Sequence, residues 1–359
     1  MYATLIVSHT NNGESFVKDH SPLAFISPDT HPDDYQHAYH PKSFSEYIGQ
    51  QDLVRKLHVY TQAALHRKEP LDHTLLFGPP GLGKTTLANI VAYSMSSQIT
   101  ICSGPMMERS GDIVALLSNL NARDILFIDE IHRMPTHVEE VLYNAMEHFR
   151  VDIIIGQGAG AKSVNLPLNP FTLIGATTKN GMLSAPLRSR FGISERIDFY
   201  TDEELQRIIQ QATTHLMYTI DQHAALRIAQ SARGTPRIAK NILRRVRDIA
   251  QMAGTQHISP DITEQTLSFL GIDKHGLCTV DRSILTAISE TYQGGPVGLE
   301  TIAAMVGEDS ATLEEVYEPY LMRKGLLERT PRGRKIPESA RLLVHKVLGS
   351  HSQLSLNTV

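Results

Sequence analysis

The 359-residue sequence has no tryptophan, and aromatic residues make up 6% of it. Its cores must be built from aliphatic side chains, and a hydrophobic content of 41% supplies enough of them. Cysteine is nearly absent. Cys102 and Cys278 stand far apart, which excludes a disulfide framework or zinc ribbon and fits a reducing, intracellular compartment. No apolar run approaches the ~20 residues a membrane span needs. The opening Leu5-Ile6-Val7 has neither the basic flank nor the length of a secretory signal. An excess of positive charge is missing too: 34 Lys plus Arg face 38 Asp plus Glu, a formal net charge of -4. A generally basic nucleic-acid coating is thereby excluded, and any such contact must be a local patch.

At ~100–200 residues per domain, the length allows two or three domains. Residues 1–37, rich in Ser, His, Asp, Asn and Pro without periodicity, read as a flexible tail. Phe44, Tyr47, Ile48, Leu53, Leu57 and Tyr60 recur at helical spacing. Three short apolar runs follow, His73–Phe77, Ile125–Ile128 and Phe171–Ala176, with helical stretches between them, including Thr85–Met95. That alternation predicts an α/β fold with a parallel sheet covered on both faces, whose ligand sits beyond the carboxyl ends of the strands. Each run ends in polar residues. Val151–Gly156 and Ser163–Leu166 flank a Gly/Ala-rich turn and predict a hairpin over about 151–168. Residues 202–270 read as helical. A further compact region over about 280–348 holds Gly325–Lys335, a turn between short strands, and the chain ends in a polar stretch from Ser350.

The first run ends in Gly78-Pro-Pro-Gly81-Leu-Gly83-Lys84-Thr85, which fits G-x-x-x-x-G-K-[ST]. Glycines let backbone N–H groups close around phosphate oxygens, Lys84 adds a point charge, and the Thr85 hydroxyl can ligate Mg²⁺. The helix that follows turns its positive end to the same phosphates. The second run ends in Asp129-Glu130. One carboxylate there can hold Mg²⁺ and the next can orient or activate an attacking water. His132 reads equally as a surface residue. Thr177 or Thr178 ends the third run, where a hydroxyl can reach the γ-phosphate or the water. Arg188 and Arg190, in Pro186–Gly192, could neutralise charge on a transferring phosphoryl group, in cis or from another subunit. Arg237 opens a later helix and could report nucleotide state to a lid. Arg323, Lys324, Arg329, Arg332, Arg334 and Lys335 share a short stretch with one acid, Glu328. Arginines on so rigid a turn suit phosphate contacts that read no base sequence. A second basic run, Arg244-Arg245-Val246-Arg247, reads better as salt bridges.

Taken together these pieces resemble the AAA+ ATPases. GPPGLGKTT at Gly78–Thr86, DEIHR at Asp129–Arg133, LIGATT at Leu173–Thr178, PLRSRFG at Pro186–Gly192 and RGTPRI at Arg233–Ile238 are more specific. With GGPVGL at Gly294–Leu299, EPYL at Glu318–Leu321 and RTPRGR at Arg329–Arg334, they resemble the bacterial RuvB family of Holliday-junction branch-migration motors. The resemblance spans roughly residues 38–340 and implies an AAA+ P-loop ATPase domain over 38–200. A helical lid over 201–274 and a winged-helix domain over 275–348 would follow, with tails at 1–37 and 349–359. It also implies a homohexameric ring, cytoplasmic and nucleoid-associated, that uses ATP and Mg²⁺ to move double-stranded DNA and migrate Holliday junctions with RuvA and RuvC.

By the same resemblance, Gly81, Gly83, Lys84, Thr85 and Thr86 bind nucleotide, Thr85 and Asp129 hold the metal, and Glu130 and Thr178 serve the water. Arg190 acts on a neighbour's nucleotide. Tyr39, His40, His148, Phe149, Arg150, Tyr200 and Arg237 supply further nucleotide contacts. Arg329, Arg332 and Arg334 contact DNA, and Val164 and Leu166 dock RuvA. Two positions depart from the family pattern: His40 stands where Arg is usual, and His148 where an acid is usual. A clamp-loader-like or remodelling AAA+ protein acting on other proteins would share the ATPase core, but it gives the Arg329–Arg334 turn no task.

Overall fold

The computed structural model describes residues 40–155 and 162–352; Tyr39, the expected N-terminal tail and the hairpin tip lie outside the described residues. Helical spacing from Phe44 is broken by Gly49 (φ 87°) and Gln50 (φ 51°), so α1 covers Gln51–Arg67. Phe44, Tyr47 and Ile48 lie in the turns before it. β1 (Thr74–Phe77) leads through the glycine loop into α2 (Lys84–Ser94). β2 (Ile99–Ser103), α3 (Ser110–Ser118), β3 (Ile125–Asp129) and α4 (Thr136–His148) follow. The expected hairpin is β4 (Arg150–Ile155) antiparallel to β5 (Lys162–Pro167), with Ile153 opposite Val164 and Val151 opposite Leu166. β6 (Thr172–Thr177), α5 (Ala185–Ser189) and β7 (Ile193–Arg196) complete the first domain.

The sheet is parallel in the order β2-β3-β6-β1-β7. Its three central strands are the three apolar runs, and both their faces are buried. Leu76, Phe127, Ile174 and Ala176 face one core, while Leu75, Leu126, Ile128 and Leu173 face the other. Two covered faces leave no position for a polar residue, which is why these strands read as continuous hydrophobic runs. Their register brings Phe77 level with Thr177 and places Asp129 at the end of the strand beside β6. The phosphate loop, the Asp-Glu pair and the threonine pair therefore share one edge.

Beyond Tyr200 come α6 (Asp202–His215), β8 (Thr219–Ile220), α7 (Gln222–Ser231), α8 (Pro236–Met252), β9 (His257–Ile258) and α9 (Pro260–Phe269). The short β8–β9 pair is the one departure from the all-helical expectation. The apolar core is continuous across the boundary, since Leu205, Ile228 and Leu243 join Leu57, Leu87 and Phe127 in a single cluster. The last region builds its own core from Leu285, Ile288, Tyr317, Leu321, Leu327 and Val344. It comprises α10 (Thr279–Thr286), α11 (Leu299–Val306), α12 (Ser310–Thr312), α13 (Glu318–Arg323), the hairpin β10 (Glu328–Thr330) with β11 (Gly333–Lys335), and α14 (Arg341–Ser352). A π turn over Leu313–Tyr317 joins α12 to α13. α14 runs past Ser350, into the polar stretch expected to be a C-terminal tail. No helix among the described residues is long and apolar enough to cross a membrane.

Candidate functional site

Beyond the carboxyl edge of the sheet lies a cavity of about 1560 Å³. Gly81, Gly83, Lys84, Thr85, Thr86, Asp129, Glu130, Thr178, Tyr200 and Arg237 all line it, and so does His40. Helices α2 and α8 both begin here. The glycine loop is tightly held. Gly83 has φ 100°, and a Cβ there would stand 2.9 Å from the Tyr47 hydroxyl; one on Gly81 (φ 75°) would stand 2.9 Å from Thr235 Cγ2. Any side chain at either position would therefore strain the backbone and clash. The Tyr200 hydroxyl donates to the Leu82 carbonyl at 3.1 Å and lies 2.7 Å from the Tyr47 hydroxyl. Burial pushes the Tyr47 hydroxyl up to about 12 and Tyr200 higher still, so both remain neutral struts.

Lys84 is buried, and its Nζ donates to the Gly78 and Pro79 carbonyls at 2.8 and 2.9 Å. Burial lowers its pKa to about 8 despite the pull of Glu130 and Asp129. A cation at the head of helix α2, within a glycine loop, suits a polyphosphate. Burial, with Glu130 beside it, pushes the Asp129 carboxyl up. Such a desolvated acid gains most from a divalent cation. No group of three His, Cys, Asp or Glu side chains that could hold a metal occurs among the described residues. A cation at Thr85 and Asp129 would take its remaining oxygens from phosphate and water, as Mg²⁺ commonly does.

Glu130 follows β3 in a left-handed conformation (φ 48°), uncommon for a residue with a side chain. Its Oε2 accepts from Thr178 Oγ1 at 3.1 Å and lies 3.1 Å from His132 Nδ1. The same His132 nitrogen is 2.9 Å from Oγ1 of the fully buried Thr177. Both threonines of the third run thus serve the carboxylate, one directly and one through His132.

On the lid side, the Arg237 amide donates to the Gly81 carbonyl at 3.4 Å. Arg237, Lys240 and Arg244 all line the cavity from one helix. The basic run expected to form salt bridges does so at Arg245 and Arg247, which pair with Asp248 at 3.1 and 3.3 Å, while Arg244 also reaches the cavity wall. The signal was available, since positions i, i+3 and i+7 of a helix share a face. Burial, with Lys240 and Arg244 nearby, holds the His40 imidazole below its usual pKa. It is neutral at neutral pH, and Lys240 and Arg244 carry the positive charge of this wall.

Four expected nucleotide residues do not line the cavity of their own chain. Arg190 lies over the Tyr143 ring at 4.7 Å, donating to Glu147 at 3.1 Å and to the Pro186 carbonyl at 2.8 Å. His148, Phe149 and Arg150 occupy the α4–β4 corner beside it, where Phe149 packs edge-on against Phe171. Within one chain these three do not line the cavity, and Glu147, which precedes them, holds Arg190. Leu166 is likewise half-buried against the core, leaving Val164 the exposed member of that pair.

The distal basic turn is not bare. Arg329 and Arg334 stand directly opposite each other across β10 and β11. Glu318, with a side chain 4% exposed, accepts from Arg329 Nε at 3.0 Å and from Arg334 Nε at 2.5 Å. Glu314 reaches Arg329 Nη1 at 3.2 Å. Arg332 sits exposed in the turn between the strands. The adjacent Glu315 pairs with Lys179, the neighbour of Thr178, at 2.5 Å, joining the third region to the rim of the cavity.

Comparison with known proteins agrees with this division. Residues 39–197 match the P-loop domain of the Holliday junction DNA helicase RuvB, 200–273 the RuvB AAA lid domain, and 274–344 the RuvB C-terminal winged-helix domain. A curated relative from Lactobacillus johnsonii, the Holliday junction branch migration complex subunit RuvB, is 52% identical over 302 residues, covering 84% of this chain and 89% of that protein. The solved Thermotoga maritima RuvB Holliday junction branch migration motor is 48% identical, with TM-score 0.76 over 86% of this chain and 98% of that one. A point mutant of the Thermotoga protein gives 48% identity and TM-score 0.78, covering 87% and 99%. On sequence, domain order and structure together, the chain belongs to the RuvB family.

Proposed function

We propose that this chain is the ATP-hydrolysing motor of Holliday-junction branch migration, acting as a ring of six copies on double-stranded DNA in recombination and repair, with RuvA and RuvC as partners. The observation that carries this reading is the convergence of the phosphate loop, Asp129, Glu130, Thr178 and the lid residue Arg237 on one cavity, in a chain whose third domain presents two opposed arginines. Family membership supports the same reading. Its setting is the cytoplasm of a bacterium, at the nucleoid.

ATP lies along the glycine loop with its terminal phosphates on Lys84 and on the amides that begin α2. Thr85 and Asp129 would hold Mg²⁺, which would supply charge neutralisation at the phosphate oxygens. Glu130 takes the proton of a water as its oxygen attacks the γ-phosphorus; the bond to the β–γ bridging oxygen breaks, and ADP and phosphate leave. Arg190, pointing away from its own cavity, serves the nucleotide of an adjacent copy, and the His148–Arg150 corner meets that nucleotide with it. Arg237 joins the γ-phosphate to α8, so loss of that phosphate moves the lid. Arg329, Arg332 and Arg334 grip DNA phosphates, and Val164 and Leu166 of the hairpin dock RuvA.

Glu130→Gln tests the chemistry. It keeps the shape and removes the base, so nucleotide binding should persist while turnover falls about 10²–10⁴-fold. Turnover at the wild-type rate would remove Glu130 from the reaction.

A further inference from the structure

His132 follows the acidic pair, and the mechanism above gives it no task. We propose that His132 is a positioning residue for the hydrolytic carboxylate: its Nδ1–H pins Glu130 Oε2 so that Oε1 is presented to the attacking water. The proposal rests on the reading of Glu130 as proton acceptor.

The geometry is specific. The His132 side chain is 5% exposed and sits in a short turn, Ile131–Arg133, whose first residue is fully buried. The ring cannot swing away without emptying its place. Nδ1 has two oxygens in reach, Glu130 Oε2 at 3.1 Å and Thr177 Oγ1 at 2.9 Å. An ionised carboxylate can only accept, so the hydrogen of the neutral ring lies on Nδ1 and is shared between them. Thr177 is tied down in turn, its Oγ1 accepting from the Lys179 amide at 3.0 Å. The ring is therefore anchored to the fully buried end of β6 and not to solvent.

Thr178 completes the clamp. Its hydroxyl donates to Glu130 Oε2 at 3.1 Å and its amide approaches the same oxygen at 3.5 Å. All of these contacts fall on one oxygen. Glutamate has three rotatable bonds, and contacts from Thr178 alone, both to one oxygen, would let the carboxylate turn about that oxygen. A second donor, from a different element, removes that freedom. A proton acceptor displaced by about 1 Å can lose on the order of 10²-fold in rate.

A residue that merely fills space is replaceable by an apolar one of similar size; a donor is not. Steady-state ATP hydrolysis and fluorescent-nucleotide binding are measured on the full chain with His132→Asn and His132→Leu. Asparagine places an amide N–H close to Nδ1 and should keep kcat within about threefold, whereas leucine should lower kcat about 10- to 100-fold. Nucleotide Kd and KM should stay unchanged in both, because the ring's hydrogen-bond partners are Glu130 and Thr177 and not the glycine loop or Lys84. His132→Ala takes the place of the leucine variant should that variant not fold, as judged by its thermal transition. Wild-type kcat in the apolar variant, equal losses in both variants, or a rise in KM that accounts for the loss would each overturn the proposal. Glu130→Gln is run in parallel. If it too turns over normally, the reading of Glu130 fails; if it is inactive while the apolar His132 variant is normal, only the positioning role fails.

Discussion

A buried ion pair joins the lid to the winged-helix domain, and breaking it should cost far more than replacing it. Arg233, 5% exposed, donates through Nη2 to Oδ2 of the fully buried Asp281. The same carboxylate oxygen accepts from the Cys278 amide at 2.8 Å at the start of α10, and the guanidinium lies 4.7 Å from the Tyr320 ring centre. Arg233→Met leaves a carboxylate without its cation, and Asp281→Leu leaves a cation without its anion; each should cost about 3–5 kcal/mol. The double variant removes both charges. It should lose only the α10 cap and the cation–π contact, about 1–2 kcal/mol together. A chain with several cores need not unfold in one step, so the readout is hydrogen exchange at α10 amides. A loss of 3 kcal/mol corresponds to roughly 10²-fold faster exchange, and the double variant should recover most of that protection. Single variants that exchange like wild type, or a double variant whose loss equals the sum of the two, would refute the reasoning.

Lys84 should make nucleotide affinity pH-dependent. Burial depresses its pKa from 10.5 to about 8, so the folded chain penalises the ammonium below about pH 8, and the penalty fades as pH rises towards 10.5. Stability without nucleotide should gain from this group over that window, while a polyphosphate favours the cation. ATP binding should therefore take up protons near pH 8 and weaken above it, which calorimetry in buffers of different ionisation enthalpy would detect; pH-independent affinity and no proton uptake would contradict it. At the hairpin, Arg334→Ala should weaken binding to all duplex sequences and reduce the salt slope by about 1. Glu314→Gln frees Arg329 Nη1 and should tighten binding; an unchanged slope in the first variant or weaker binding in the second would count against a phosphate role.

The central strands were legible because burial on both faces compresses hydrophobicity into a run, and each run ends at the chemistry. The flanking strands were not. Ile99–Ser103 keeps Ile101 53% exposed, and Ile193–Arg196 alternates buried and exposed positions with charge at its end. Tyr47 was read as one residue of a helical series, but a left-handed pair of residues precedes α1 and leaves its hydroxyl on the phosphate loop. That contact pairs residues 35 apart, and no local periodicity encodes it. Arg190 shows the opposite case: its residue type was legible, but whether it faces its own cavity depends on the partners Glu147 and Tyr143.

The basic turn shows why counting charges along a chain misleads. Residues 323–335 hold a single acid in sequence, yet Glu314 and Glu318 fold onto the same arginines from the preceding segment. Glu318 is nearly buried and touches both arginines, whereas Glu314 is 46% exposed. In the proposed phosphate contact, the exposed Glu314 would be the acid displaced, while the nearly buried Glu318 would keep the two guanidinium groups in register. Glu315, between them in sequence, points instead to Lys179 beside the Glu130–Thr178 contact. One short segment thus has a side chain at each end of the proposed motor. A displacement of it must alter both the hairpin that would hold DNA and the rim of the cavity that would hold ATP, which is the minimum physical connection that moving one by hydrolysing the other requires.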